Sequence, residues 1–161
     1  MLVLNAENIK AYYKLLDGDV KALEDATFTL MKGEVLGIAG ESGCGKSTLA
    51  ATLSTVILPP LELVDGRLLT GNGEDIFKFP ERTLRREIRG KYIALVPQSA
   101  MNALNPTKKI EDLVADAVKA HYPKMAKEDA VKTSTERFMD VGLPSRVLES
   151  YSFELSGGMK Q

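Results

Sequence analysis

The chain has a single cysteine, Cys44, and a single histidine, His121, among its 161 residues. One thiol cannot close an intrachain disulfide, and no charged-then-apolar leader opens the sequence, which points to a reducing cytoplasm. No apolar run approaches the roughly 18 residues that cross a bilayer, so any service to a membrane is from its surface. An excess of either charge is lacking too: 21 basic against 22 acidic residues leave a net charge of −1. Nothing overall draws the chain to nucleic acid or to an anionic membrane. There is no internal repeat, low-complexity tract or long linker, and neither His121 nor any carboxylate cluster has metal-site spacing.

What is present is an ordinary globular composition, 44% hydrophobic and 27% charged, enough for one domain with a buried core. Residues 2–39 read as β structure. The run comprises Leu2-Val3-Leu4, a stretch from Ile9 to Tyr13, a polar turn at Asp17-Gly18-Asp19 and an alternating segment from Val20 to Leu30. After Lys32-Gly33-Glu34 comes Val35-Leu36-Gly37-Ile38-Ala39, continuously apolar, as in strands buried on both faces of a parallel sheet. Leu49, Leu53, Val56 and Ile57 then fall at helical spacing as far as Pro59-Pro60. A strand is expected over Gly66 to Thr70, a short helix from Pro80 to Arg89 with Gly90 in the C′ position, and a second buried strand from Tyr92 to Val96.

From about residue 105 the composition turns helical. Ile110, Leu113, Val114, Ala117 and Val118 make one amphipathic stripe, a weaker helix runs from Ala126 to Val141, and this part shows no core of its own.

Gly40-Glu41-Ser42-Gly43-Cys44-Gly45-Lys46-Ser47 fits the phosphate-loop pattern, with an expected strand before it and a helix after it. Glycines let backbone N–H groups converge on a phosphate, and the helix N-terminus offers unpaired N–H groups and a positive dipole end. Lys46 reaches the β- and γ-phosphates as a point charge, and the Ser47 hydroxyl ligates Mg²⁺. Gly40, Glu41, Ser42, Gly43, Cys44, Gly45, Lys46, Ser47 and Thr48 are thus candidate nucleotide-binding residues, with ATP and Mg²⁺ as the cofactors. Cys44 has two readings, an alkylation-sensitive thiol or a small residue filling a tight slot. Arg82, Arg85, Arg86, Arg89 and Lys91 form a basic cluster, but interspersed Glu81 and Glu87 make it read as a solvated face.

The phosphate loop, Val96-Pro97-Gln98 and the closing Leu155-Ser156-Gly157-Gly158-Met159-Lys160-Gln161 together resemble the nucleotide-binding subunits of ABC transporters. Gln98-Ser99-Ala100-Met101-Asn102-Ala103-Leu104-Asn105-Pro106 is similar to the dipeptide, oligopeptide and nickel importer branch, which also carries short sugar chains. The resemblance implies an α/β, ABC-type P-loop NTPase fold. It consists of an N-terminal antiparallel β part and an incomplete parallel core sheet (1–104), then a helical subdomain (105–161) ending in the signature motif.

It further implies that Lys46 and Gln98 are catalytic and that Gln98 shares Mg²⁺ with Ser47 and senses a transmembrane partner. By the same resemblance Tyr13 stacks on adenine, with Tyr12 as its rival, and a half-buried strand filled by both tyrosines is the alternative. Ser156, Gly157 and Gly158 would cap the phosphate loop of a second subunit in a head-to-tail dimer. The implied partners are that second ATP-binding subunit and membrane-spanning permeases, with no nucleic acid, and the implied place is the inner face of the cell membrane. The implied work is ATP-driven import of peptides or similar small solutes. A non-transport ABC-type ATPase of DNA repair or translation has the same loop and signature, and the Met101-to-Pro106 stretch counts against it.

The family's Mg²⁺-holding aspartate, water-polarising glutamate and γ-phosphate-sensing histidine have no counterpart in the chain. It is therefore expected to be a piece of a protein roughly twice as long, without hydrolysis of its own, since the few residues after Gly158 are too short to hold a helix. The alternative is a piece that self-associates through an exposed core edge and binds nucleotide weakly or not at all.

Overall fold

The computed structural model describes residues 1–97 and 104–160. The chain divides into two compact units, Met1–Leu95 and Val96–Gln161. The junction expected between residues 104 and 105 borders a stretch, 98–103, outside the described residues.

The first unit is built on an antiparallel sheet of order β2-β1-β3, with β1 at Leu2–Leu15, β2 at Gly18–Met31 and β3 at Leu61–Thr70. Leu15 pairs with Gly18, so Leu16 and Asp17 make a two-residue hairpin turn. On β1 the buried positions are Leu4 and Ala6, then Ile9 and Ala11. With a period of two the apolar set should move to solvent when its parity changes. It stays in the core because Asn8 takes φ 50° at an irregularity between Ala6 and Ile9, and the inserted residue returns the same face inward.

Both neighbours change parity at the same level, β2 at Asp25 (φ 107°) and β3 at Gly66 (φ 105°). The Thr27 hydroxyl joins the first two irregularities: it accepts from the Asn8 N–H at 2.9 Å and reaches Asn8 Oδ1 at 3.1 Å and Asp25 Oδ1 at 3.2 Å. At Gly66 any Cβ would lie 2.5 Å from Ile9 Cα, so only glycine lets β3 follow the bend.

Helix α1, Lys46–Leu53, packs Leu49 into the core that the sheet supplies through Leu4, Ile9, Leu23, Leu61 and Leu68. The helix stops at Leu53, short of the spacing that extends to Ile57. Thr55 N–H bonds Thr52 O and Val56 N–H bonds Ala51 O, both at 3.0 Å, which closes a left-handed C-terminal motif well before the prolines. Thr55 holds φ 58° at the position usually given to glycine, a conformation that costs about 1–2 kcal/mol for a residue with Cβ. Further on, α2 at Glu81–Thr83 continues as wider π turns over Leu84–Ile88, and Gly90 (φ 80°) follows.

Two expected strands do not form ladders. Val35 is 96% and Ile38 50% exposed, and Leu95 and Val96 are 46% and 72% exposed. An apolar run is buried on both faces only when strands flank it, and among the described residues the antiparallel sheet is the only one. An isolated parallel bridge joins Arg89 to Ile93.

The second unit contradicts the expectation of a helical part without a core. Helices α3 (Ile110–His121) and α4 (Lys127–Asp140) close with a 3₁₀ turn, Ser145–Glu149, over buried Ile110, Val147, Leu148 and Leu155. Phe138 and Met159 pack against that cluster. Lys127 Nζ bridges the helices, 2.7 Å from Asp112 and 3.3 Å from Glu111, and its ammonium holds the Asp112 carboxyl below the usual carboxylate range. A last helix, α5, covers Gly157–Lys160, contrary to the expectation that so few residues hold none; Lys160 N–H bonds Ser156 O at 3.0 Å and Met159 packs on the buried cluster.

Candidate functional site

The loop from Gly40 to Gly45 enters α1 through two left-handed glycines, Gly43 (φ 83°) and Gly45 (φ 94°). Gly45 is the N-cap of α1 and has no side chain to satisfy the first turn. The first bond to it is Leu49 N–H to Gly45 O at 2.8 Å, which leaves the Lys46, Ser47 and Thr48 N–H groups without an acceptor one turn earlier. A Cβ at Gly45 would stand 2.4 Å from the carbonyl oxygen of Ala22 on β2, and one at Gly40 would stand 2.7 Å from Cys44 Sγ. The glycines therefore allow close approach on both sides of the loop. Cys44 is exposed, and its sulfur lies beside Gly40, so both readings of the residue stay open.

Lys46 folds back over the loop. Its Nζ donates to Gly40 O at 2.8 Å and to Glu41 O at 2.5 Å, and lies 3.4 Å from Cys44 Sγ. A cation held by backbone oxygens in front of unpaired N–H groups is what an anion of several oxygens requires. Ser47 is exposed, whereas Thr48 is buried and its side chain meets the Tyr13 hydroxyl, with 3.1 Å between the oxygens.

That contact separates the two tyrosines. Tyr13 packs against the sheet core beside the loop helix, while the Tyr12 ring lies among the ammonium groups of Lys14 and Lys21, 5.8 and 5.7 Å from its centroid. Gln98 lies outside the described residues. Ser156, Gly157 and Gly158 stand in the second unit, at the start of α5. Leu155 is anchored in the small core, and Ser156 Oγ accepts from the Met159 N–H at 3.4 Å. The exposed glycine backbone at Gly158 meets nothing within 4 Å of a built Cβ.

The basic cluster divides. Glu81 takes Arg85 Nε and Arg89 Nη1, each at 2.7 Å, and Glu87 takes Lys91 at 3.2 Å. Arg85 first, then Arg89, hold the Glu81 carboxyl below its ordinary value. The sequence pattern missed the bond between Tyr13 and Thr48, the Ala22 carbonyl behind Gly45, and the grip of Arg89 on Thr55. All three depend on tertiary approach, which no local spacing records.

Fold and loop together define a P-loop NTPase of the ATP-binding-cassette type. The chain belongs to the ABC transporter family, whose model matches residues 23–161. Among curated relatives, the dipeptide transport ATP-binding protein DppD of Caldanaerobacter subterraneus subsp. tengcongensis is 36% identical over 161 residues, 99% of this chain and 49% of that protein. The oligopeptide transport ATP-binding protein OppD of Escherichia coli K12 is 33% identical over 164 residues, covering 99% and 47%.

The chain spans about half the length of these relatives. A dimeric ATP-binding cassette, MJ0796, solved with ADP and Pi in a post-hydrolysis state, superposes with a TM-score of 0.78 at 22% identity, over 98% of this chain and 65% of that one. A nucleotide-free ABC transporter cassette gives 0.63 at 23% identity, over 99% and 61%. At these identities the likeness is one of fold. No helix among the described residues is long and apolar enough to cross a membrane.

Proposed function

We propose that this chain is the nucleotide-holding part of an ABC transporter ATP-binding subunit, which couples ATP binding and hydrolysis to import of peptides or similar small solutes. The observation that carries the reading is the Lys46 ammonium gathered by Gly40 O and Glu41 O in front of the open N-terminus of α1. Lys46 and the loop amides from Glu41 to Thr48 hold the phosphates, Ser47 presents its hydroxyl to Mg²⁺, and Tyr13 takes the base. The residues fit the group, since the Lys46 ammonium, the N-terminus of α1 without a side-chain cap and the exposed Ser47 hydroxyl lie on one short loop. Bound Mg²⁺ neutralises phosphate charge. Gln98 links hydrolysis to a permease partner, and Ser156 to Gly158 complete the site of a second subunit met head to tail, at the inner face of the membrane. Support for peptides comes from relatives that are dipeptide and oligopeptide transport ATP-binding proteins.

In cells that depend on the full-length protein for uptake, Lys46→Ala should abolish ATP-driven import. Uptake at the wild-type rate in that variant would overturn the reading. A second reading concerns the 161-residue chain alone: bare Val35, Ile38 and Val96 favour its self-association.

A further inference from the structure

Thr55 is a β-branched residue in the left-handed region, and one guanidinium takes both of the oxygens it offers. Arg89 Nε donates to Thr55 Oγ1 at 2.9 Å and Nη2 donates to Thr55 O at 2.6 Å. The same guanidinium holds Glu81, Nη1 to Oε1 at 2.7 Å and Nη2 to Oε2 at 3.2 Å. The arginine side chain is only 30% exposed and sits immediately before Gly90 (φ 80°), and its backbone bridges to Ile93. Lys46 and Ser47 begin α1, and Arg89 closes its other end. Unfavourable backbone geometry maintained by a dedicated partner is a reason to look for function. Threonine supplies two acceptors to the fork, whereas glycine would relieve φ and supply one.

We propose that Arg89 is a positioning residue for the phosphate loop: by gripping Thr55 it fixes α1 along its axis, and so sets Lys46 and Ser47 against bound phosphates. The role rests on the nucleotide-binding reading and deepens it. A rigid eight-residue helix transmits a displacement at its C-terminus to its N-terminus, and small misplacements of phosphate ligands are felt mainly in turnover.

The test is ATP binding, ATP turnover, KM and thermal unfolding of the full-length protein for Thr55→Gly, Arg89→Lys and Lys46→Ala. Thr55→Gly suits φ 58° and should keep Tm within about 3 °C of wild type. Its kcat should nevertheless fall about tenfold, with KM changed less than about threefold. Arg89→Lys, which keeps the charge and loses the fork, should show the same split. Wild-type kcat in either variant, or a fall in kcat that only accompanies a fall in Tm, would overturn the role. Lys46→Ala separates the two ideas, because nucleotide binding unchanged in that variant would reject the site itself. Loss of binding there beside full turnover in Thr55→Gly would reject only Arg89.

Discussion

At the scale of single residues the glycines of the loop do different work. Gly43 at φ 83° has nothing within 4 Å of a built Cβ, so Gly43→Ala should cost only the left-handed conformation, about 1 kcal/mol. Gly45→Ala adds a collision at 2.4 Å with the Ala22 carbonyl to φ 94° and should cost more than about 2 kcal/mol, with loss of nucleotide affinity. Urea unfolding of the two variants checks this. Equal losses would mean that the close approach of β2 does not set the loop. The pattern of glycines was legible in the sequence, and so was Lys46 as the cation. The demand at Gly45 was not legible, because it arises from a strand placed behind the loop by tertiary folding. The resemblance already puts Tyr13 ahead of Tyr12, and the contact of Tyr13 with the buried Thr48 hydroxyl is a tertiary fact that the sequence does not record.

Among the elements, the hairpin and the two long helices follow from alternation and from the i, i+3, i+4 stripe. Strand continuity through Asn8 and Asp25 does not, since each strand's change of parity makes sense only beside a neighbour that changes at the same level. The two apolar runs expected as strands show the converse: hydrophobicity marks a segment as able to pair, and pairing still needs partners. The second unit's core is small, so its residues carry unequal weight. Leu148→Ala, at a side chain 4% exposed, should cost about 2–4 kcal/mol and raise hydrogen exchange through α3 and α4 while β1 and β3 keep their protection.

The link between those helices should depend on pH in a defined way. Asp112 is lowered chiefly by its hydrogen bond from Lys127, and Lys127 is raised chiefly by the same bond. The acid's contribution is present above the ordinary carboxylate value of about 4 and is lost as pH falls through its lower folded value. The base's contribution is present below about 10 and is lost as pH climbs past its raised one. Helix pairing should thus be level between these limits. Asp112→Asn should remove the acid limb, which Tm measured across pH would reveal.

For the whole molecule, the fold is that of part of an ATP-binding cassette, and the exposed apolar runs bear on the behaviour expected of the 161-residue chain. Sedimentation velocity should show association that grows with concentration and falls in the double variant Val35→Lys, Ile38→Lys, whereas a clean monomer at high concentration would remove that idea.

The central claim is that Lys46 and the amides around it hold the phosphates of ATP. Titrating the full-length protein with ATP and Mg²⁺ tests it most directly. The wild type should bind saturably and Lys46→Ala should bind at least about tenfold more weakly, as expected for the loss of charge-assisted bonds worth about 1.5–3 kcal/mol. Equal affinity in the two proteins would contradict the account.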